Sequence, residues 1–362
     1  MEKRKKMKIE HIYLFSSYNI KGISTRYRGV YVLNELYKKH GISSTFVYPG
    51  YSLMEIVNFI RTYLKVLFTS RKNTIVVYQK IHTKGIYTML LRVLLRIRPK
   101  GTIYDTDDAD YLRYFDKNIF YFMKNCKMCT VGSIALKEFT KTYNSNILLL
   151  TSPVIRHKEI KNNGNKILHI GWIGDYGLNK GFSSPFSHKI SLNQILFPIL
   201  LELEFVFKLT ILGVKNPADK KEIQNMFKHK NNIILNIPER VNWLNEKSVY
   251  SVVKEFDIGV SPMIKNEFNI SKSAFKAKQY LSCGVPVLAS PIGENLTFVK
   301  DGFNGFICHN SKEFKEKIIK INNMDIEEYD LLRNNTSFYV EEFSMTKYCN
   351  DLIDGITQHN TK

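Results

Sequence analysis

The sequence has few cysteines, and their spacing does not suggest disulfide bonds. Five cysteines occur in 362 residues without the framework of a small secreted domain, so we exclude disulfide-stabilised folds and expect a reducing, cytoplasmic setting. Cys126 and Cys129 form one C-x-x-C, yet no second pair stands nearby to complete a zinc site. We therefore expect the cysteines to be structural.

Long apolar runs are missing as well. The basic start, MEKRKKMKIEHIYLFSSYN, leads into a stretch that is too short and too polar for a signal peptide. The best membrane-spanning candidate, YTMLLRVLLRIRP, contains three arginines. Each arginine costs about 2.5–3.5 kcal/mol at a bilayer centre, whereas a leucine returns only about 0.5 kcal/mol. We expect this segment to form a basic amphipathic helix that lies on an anionic surface.

Acidic residues are scarce in the first half of the chain. Residues 1–160 carry 28 Lys and Arg against 11 Asp and Glu, whereas residues 161–362 carry 25 against 22. This one-sided excess points to an anionic partner of the first half, either a membrane surface, a nucleic acid or a phosphorylated substrate. Because no recognised nucleic-acid motif is present, we do not expect a nucleic acid. The charge instead favours an anionic membrane surface or a phosphorylated substrate, and we expect a cytoplasmic protein that is peripheral at the inner face of a membrane.

Short apolar runs alternate with helical segments along the whole chain. Six such runs precede the polar stretch at 154–166 and six follow it. This alternation predicts parallel sheets covered on both faces. We predict two tandem doubly wound, Rossmann-like α/β domains, at 1–155 and 156–340, which face each other across a cleft, and a C-terminal helix at 341–362 that crosses back to the first domain. Ligands of such folds bind beyond the carboxyl ends of the strands.

The loop after the first strand lacks the G-x-G-x-x-G of dinucleotide-binding folds. It contains Gly22, Arg26 and Arg28 just before a helix instead. Backbone N–H groups at a helix start, together with guanidinium groups, suit a phosphate or a carboxylate. Lys80 directly follows the third strand and is a candidate for the same ligand.

Four aspartates follow the fourth strand within six positions. Asp105, Asp107, Asp108 and Asp110 stand in YDTDDADY, and like charges this close need compensation. Three uses remain open, namely a D-x-D metal site for a sugar diphosphate, capping of the next helix, or hydrogen bonds to substrate hydroxyls.

The second half contains a basic segment, SKSAFKAKQYLS, ahead of a buried strand. On a helix, Lys272, Lys276 and Gln279 fall on one face, and the two lysines repel each other unless an anion or a carboxylate lies between them. The helix start adds partial positive charge, so residues 271–275 make a candidate phosphate seat. A glycine turn, PIGEN, follows the next strand.

The stretch FKAKQYLSCGVPVLASPIGENLTFVKDGFNGFIC resembles the donor-binding region of GT-B glycosyltransferases, in particular the retaining family four. ILHIGWIGD is similar to the opening strand of that domain and EFDIGVSP to its penultimate strand. ISTRYRG and IYDTDDADY are similar to loops of bacterial surface-polysaccharide members. The closing EEFSM resembles the start of the family's crossing-back helix. The likeness is specific over about 167–310 and looser over 9–155.

The resemblance implies a nucleotide-sugar substrate, no cofactor and no metal. It places the diphosphate against Lys180, Lys276 and the backbone near Gly22 and Phe275. The family has two glutamates eight positions apart on the basic helix, one for the donor sugar and one for the ribose; these positions here are Ser271 and Gln279. Lysines and the helix dipole would stabilise the departing diphosphate, and attack by the acceptor on the same face would give retention.

The expected function is therefore transfer of a sugar to a glycan or lipid-linked acceptor in surface-polysaccharide biosynthesis. Two alternatives are a metal-dependent, GT-A-like transferase that uses DTDD, and an inactive GT-B-like protein that binds a glycan or partner. The candidate residues are Asp107, Asp108 and Lys276 for catalysis; Gly22, Lys180, Ser271, Lys272, Phe275, Lys276, Gln279 and Gly293 for the donor; and Arg26, Arg28, Lys80 and Asp105 for the acceptor or a phosphate.

Overall fold

The chain forms two compact α/β units. The computed structural model describes residues 8–70, 73–82, 85–114, 116–157, 167–177 and 186–360, with residues 359 and 360 described by backbone alone. Unit one comprises Met1–Pro153 and Phe343–Lys362, and unit two comprises Val154–Glu342. Within the described residues, no helix is both long and apolar enough to cross a bilayer.

Each unit is built on a six-stranded sheet whose paired strands all run parallel. The order is β2-β1-β3-β4-β5-β6 in unit one and β12-β11-β10-β7-β8-β9 in unit two. The first sheet comprises β1 (His11–Ser16), β2 (Ser43–Val47), β3 (Thr74–Gln79), β4 (Thr102–Thr106), β5 (Met128–Val131) and β6 (Ile147–Leu149). The second comprises β7 (Leu168–Ile173), β8 (Phe207–Leu212), β9 (Ile233–Asn236), β10 (Ile258–Ser261), β11 (Val287–Ala289) and β12 (Gly305–Ile307).

Helices connect these strands. In the first half they are a π-helical turn (Thr25–Val30), α1 (Tyr31–His40), α2 (Leu53–Phe68), α3 (Ile86–Ile97), α4 (Asp110–Tyr114), α5 (Lys117–Asn125) and α6 (Ile134–Thr140). In the second half they are α7 (His188–Ser191), a π-helical turn (Leu192–Leu196), α8 (Phe197–Leu201), α9 (Pro217–Phe227), α10 (Glu246–Val253), α11 (Glu267–Ile270), α12 (Phe275–Ser282), α13 (Asn295–Phe298), α14 (Ser311–Asn322), α15 (Ile326–Asn334), two 3₁₀ turns (Asn335–Ser337 and Val340–Phe343) and α16 (Met345–Asn360).

The central strands of unit one are buried on both faces, with alternate side chains pointing to opposite sides of the sheet. On one face, Ile12 and Leu14 pack with α1 and with the C-terminal helix α16. On the other face, Tyr13 and Phe15 pack in a core that also takes residues of α2, α3 and α5. Unit two has a core of its own around β7, β8 and β10.

The predicted fold class is confirmed. Each of the twelve apolar runs contains a strand, and the two sheets are parallel with helices on both faces. Continuous apolar runs suit strands that are covered on both sides, which is why the pattern was informative. The five cysteines are buried and form no disulfides, as expected of structural residues.

Candidate functional site

In unit one, Lys80 lies at the centre of a ring of carboxylates, which we call the Lys80 cluster. Its ammonium lies 3.1 Å from Asp107, 2.9 Å from Asp108 and 3.1 Å from Asp110. Lys80 directly follows β3 and adopts a φ of 50°, a left-handed conformation that is uncommon outside glycine. The structure thus brings together Lys80, Asp107 and Asp108, and it adds Asp110.

The charges of this cluster depend on one another. Burial opposes the charge of Lys80, but the carboxylates of Asp107, Asp108 and Asp110 outweigh that effect and hold the pKa of Lys80 well above its usual value. Burial raises the pKa of Asp110 to about 6, although Lys80 opposes the rise. Lys80 therefore keeps its charge at neutral pH, and the surplus of carboxylate suits hydrogen bonds from hydroxyl groups.

The carboxylates of Asp107 and Asp108 differ in their surroundings. Asp107 accepts hydrogen bonds from the Ser24 hydroxyl at 2.8 and 2.9 Å and from the Ser152 hydroxyl at 3.2 Å. Gly132 fits against it, because a Cβ there would lie 2.9 Å from the Asp107 Cα. The Asp108 side chain is 22% exposed, against 11% for Asp107 and 3% for Asp110. Asp108 is therefore the carboxylate of the cluster that is most open to a ligand hydroxyl.

Arg28 and Asp105, which we expected on the acceptor or phosphate side, are paired with each other in the core. Arg28 Nη2 lies 2.5 Å from Asp105 Oδ1, and the two side chains are 0% and 5% exposed. Arg28 also donates to the Leu150 carbonyl, and Asp105 accepts from Gln79 at 2.9 Å and from Thr130 at 2.7 Å. Burial opposes the charge of Arg28, but Asp105 outweighs it and raises the pKa of Arg28. This arrangement is that of a structural ion pair.

Gly22 lies in the loop after β1, and Arg26 lies in the π-helical turn (Thr25–Val30) that precedes α1. The Arg26 guanidinium is buried and donates to the carbonyls of Ile20 at 3.2 Å and Lys21 at 3.5 Å. The Gly22 N–H donates to the Asn19 carbonyl at 3.0 Å. Arg26 therefore folds back on its own loop instead of projecting from the surface, whereas the sequence suggested an open anion site.

An aromatic group beside the Lys80 cluster was missed in the sequence. The His82 ring stacks on Tyr114 at a centroid distance of 4.0 Å, and its Nε2 lies 2.8 Å from the Tyr18 hydroxyl. Burial and the nearby Lys80 lower the pKa of His82 to about 4, so the ring is neutral at pH 7. The place of these residues in the sequence could have identified them, because Tyr18 follows the carboxyl end of β1 by two residues and His82 follows that of β3 by three.

In unit two, Lys276 lies over the carboxyl end of β7. It is the second residue of α12, and its ammonium donates to Nε2 of His188 at 2.9 Å. The ammonium is 6.0 Å from the centroid of the buried Trp172 ring. Gly174 leaves room for this approach, because a Cβ there would lie 2.8 Å from Trp172 and 3.2 Å from the Lys276 Cε. A lysine, an imidazole and an indole thus meet at the carboxyl edge of the second sheet, the edge at which ligands of such folds bind.

The prediction that Lys272, Lys276 and Gln279 share one helical face was wrong. The helix begins only at Phe275, and Ala274 before it has a φ of 53°, which breaks the helical path. Lys272 lies in the preceding turn, where its ammonium is 4.5 Å from the centroid of the Phe268 ring. Lys276 and Gln279 remain on α12 and are half-buried.

The turn at Gly293 packs directly against the segment before α12. Gly293 has a φ of 59°, and a Cβ there would lie 2.7 Å from the Lys272 carbonyl and 2.9 Å from the Asn269 carbonyl. The Glu294 N–H donates to the same Lys272 carbonyl at 3.1 Å. Two loops at the carboxyl edge of the sheet therefore hold each other in place beside the start of α12.

The remaining donor candidates have different surroundings. Ser271 is buried and donates its hydroxyl to the Glu267 carbonyl at 3.2 Å. Phe275 is half-buried at the first position of α12, where helix geometry directs backbone N–H groups and partial positive charge outward. Lys180 lies outside the described residues.

A metal site is not supported by the arrangement of the aspartates. Three of the four carboxylates surround the Lys80 ammonium, and the fourth pairs with Arg28. Within the described part of the chain, no group of His, Cys, Asp and Glu side chains has an arrangement that could hold a metal ion.

A family model matches part of unit two. Residues 188–323 match the family model of glycosyl transferases group 1, a segment that contains His188, Lys276 and Gly293. No curated protein matches the sequence.

Solved structures show a similar fold over nearly the whole chain. Alr3699/HepE of Anabaena, in complex with UDP and glucose, has a TM-score of 0.66 at 11% identity and covers 96% of this chain and 100% of its own. Sucrose-phosphate synthase of Thermosynechococcus elongatus has a TM-score of 0.66 at 10% identity, covering 95% and 97%. The lipopolysaccharide outer core galactosyltransferase WaaB has a TM-score of 0.63 at 12% identity, covering 97% and 99%. The chain therefore has the two-unit α/β fold of the GT-B glycosyltransferases.

Proposed function

We propose that this chain is a glycosyltransferase that moves a sugar from a nucleotide-sugar donor to a glycan or lipid-linked acceptor. The observation that carries the proposal is the meeting of Lys276, His188 and the start of α12 at the carboxyl edge of the second sheet. Both His188 and Lys276 lie within the segment that matches glycosyl transferases group 1. The similar Alr3699/HepE was solved with UDP and glucose, which supports a nucleotide sugar as the donor.

On the donor side, Lys276 has the central role. Its ammonium and the N-terminal dipole of α12 would stabilise the negative charge that develops on the departing nucleoside diphosphate. His188 holds the ammonium at 2.9 Å, so the charge is positioned before the reaction begins. Lys180, Lys272, the backbone at Phe275 and the Gly293 turn complete the proposed donor site, and Gln279 would bind the ribose.

On the acceptor side, the Lys80 cluster would bind and orient the attacking hydroxyl. Asp108 is the most exposed of its carboxylates and would accept the hydrogen bond of that hydroxyl, while Lys80 and Asp107 fix its position. Attack on the face from which the diphosphate leaves would give retention, and the reaction would need no metal. The basic first unit would hold the protein at the inner face of a membrane where a surface glycan is assembled.

The test is donor binding by the Lys276→Ala variant. We expect the affinity for UDP-glucose, measured by calorimetric titration, to fall by at least about tenfold, because charge-assisted hydrogen bonds to a phosphate contribute about 1.5–3 kcal/mol. Lys228→Ala is the matched control, since this exposed lysine follows the carboxyl end of α9, the end of a crossover helix that lies away from the ligand edge. Equal affinities of the two variants would contradict the donor site.

One observation favours a second candidate, an inactive protein of the same fold that binds a glycan or partner. The donor-sugar position holds Ser271, which is buried and donates its hydroxyl to the Glu267 carbonyl. Incubation with a panel of nucleotide sugars separates the two. Donor binding without any transfer or hydrolysis would support the binding protein, whereas release of the nucleoside diphosphate would support the transferase.

A further inference from the structure

The outer side of α2 is apolar. Its exposed residues include Leu53, Val57, Ile60, Leu64 and Phe68, which recur at intervals of three and four positions and therefore lie along one side of the helix. Leu53 is 78% exposed and Phe68 is 86% exposed. A surface helix of a water-soluble unit carries polar residues on this side.

This outer stripe is not the face that holds α2 on the sheet. Phe59, Thr62 and Val66 are the buried residues of the helix, and Phe59 and Val66 pack in the core of unit one. α2 is therefore apolar on two sides, one of which no described part of the chain covers. Folding of the unit does not account for the second side.

A second stripe lies on the neighbouring helix. Ile86, Met89 and Val93 of α3 are exposed at spacings of three and four. The rings of Phe59 in α2 and Tyr87 in α3 are 4.8 Å apart, so the two helices are neighbours on one face of the sheet. We call the two stripes together the α2–α3 patch, which comprises Leu53, Val57, Ile60, Leu64, Phe68, Ile86, Met89 and Val93.

The surroundings of the patch are basic. Arg61 and Lys65 are exposed. Because Val57, Arg61 and Lys65 are spaced four positions apart, the two basic residues form a row beside the apolar stripe of α2. On α3, Arg96 is exposed next to its stripe. Glu55 is the only acidic residue in the sequence between 49 and 100, and it is engaged with Tyr48 and Ser52 at the helix start.

We propose that the α2–α3 patch docks onto an anionic lipid bilayer. The apolar stripes would enter the boundary between headgroups and acyl chains, and the basic row would contact lipid phosphates. A second copy of this chain would bring one basic row against another without acidic partners, which disfavours self-association. The proposal rests on the membrane location given under the proposed function, and it assigns that location to a defined surface of unit one. It uses no residue of the donor site.

The experiment is flotation of the full chain with vesicles of phosphatidylcholine alone or mixed with phosphatidylglycerol. We expect binding to the mixed vesicles that weakens as salt rises. Val57→Glu combined with Leu64→Glu should reduce this binding at least about tenfold, because acidic side chains oppose entry into an anionic boundary. Arg61→Gln combined with Lys65→Gln should reduce it roughly tenfold and flatten the salt dependence.

The matched controls lie on α1, on the opposite face of the sheet. Tyr37, Lys38 and Lys39 are exposed there. Two control variants follow, a Tyr37→Glu single variant and a Lys38→Gln, Lys39→Gln double variant, and both should bind vesicles like the unaltered protein. Circular dichroism checks that every variant is folded, and unchanged UDP-glucose affinity separates this result from any failure of the donor site. The proposal would be overturned if the Val57→Glu, Leu64→Glu variant bound vesicles fully or if the unaltered chain did not bind them. It would also be overturned if the unaltered chain formed a dimer that this variant abolishes.

Discussion

At the scale of single residues, Arg28 and Asp105 form an ion pair inside the core of unit one. Their side chains are almost fully buried, so removal of one partner leaves an uncompensated charge. Breaking such a pair costs about 3–5 kcal/mol. We expect Asp105→Asn to lower the free energy of unfolding of unit one by about this amount, measured by urea denaturation.

An exposed ion pair in the same unit provides the control. Lys141 lies 2.7 Å from Glu138, and both side chains are more than half exposed. Because solvent screens such pairs, Glu138→Gln should change stability by less than about 1 kcal/mol. If Asp105→Asn were as mild as this control, the buried pair would have no structural role.

Asp110 gives a prediction about pH. Burial raises its pKa to about 6, above the value of about 3.9 in an unfolded chain. The folded state therefore binds more protons between these values, and Asp110 reduces stability increasingly as pH rises from about 4 to 6. Asp110→Asn removes this effect, so the melting temperature of the variant minus that of the unaltered protein should grow by about 5 °C over this range.

The titration of His82 changes stability with pH in the opposite direction to that of Asp110. The Asp110→Asn variant must therefore be compared with the unaltered protein at each pH. The pKa of His82 is lowered to about 4, so the unfolded state binds more protons between about 4 and 6.5 and stability rises with pH. In the unaltered protein the two trends partly cancel. A constant difference between the two melting temperatures from pH 4 to 7 would show that Asp110 ionises normally.

These residue contacts were beyond sequence analysis for a physical reason. The sequence identified Arg28, Lys80 and the four aspartates as candidates, because each follows a strand or precedes a helix. It did not reveal which cation meets which carboxylate, since Arg28 and Asp105 are 77 positions apart and their pairing depends on the order of β1, β3 and β4. The Lys80 ammonium compensates the repulsion among Asp107, Asp108 and Asp110, for which the sequence left a metal, helix capping or substrate hydroxyls as alternatives.

At the scale of elements, the strands were predictable and the start of α12 was not. Most of the strands contain a short apolar run with polar or glycine residues at its ends, so local composition sufficed to locate them. The segment SKSAFKAKQYLS contains good helix formers from its beginning. Its first residues are nevertheless held outside the helix, because the Lys272 carbonyl accepts from the Glu294 N–H and packs on Gly293. Tertiary contact overrides local propensity here.

Gly293→Ala tests this pairing of loops. A Cβ at Gly293 would lie 2.7 Å from the Lys272 carbonyl, and the φ of 59° is unfavourable for alanine. We expect lower thermal stability and at least about fivefold weaker UDP-glucose binding, because the start of α12 must shift. Gly302→Ala is the control, with a φ of 72° but nothing within 4 Å. It should lose stability by about 1–2 kcal/mol and keep its donor affinity.

At the scale of the whole molecule, the two units divide the proposed chemistry. The carboxylate-rich Lys80 cluster and the basic surface lie in unit one, whereas Lys272, Lys276 and the Gly293 turn of the proposed donor site lie in unit two. The match to glycosyl transferases group 1 falls within unit two as well. Most of the excess positive charge lies in the half of the sequence that the family model does not match. The basic charge and the proposed donor site are therefore separate features of the chain.

Hydrogen–deuterium exchange with and without UDP-glucose tests this division across the chain. Because a bound ligand suppresses local opening of the segments it contacts, exchange should slow most at residues 271–282 and 290–298 of unit two. Residues 107–110, which contribute the carboxylates of the Lys80 cluster, should change less with donor alone. The Lys276→Ala variant under the same conditions should show little protection, since its affinity is reduced. Protection confined to unit one, or equal protection in the variant, would contradict a donor site on α12.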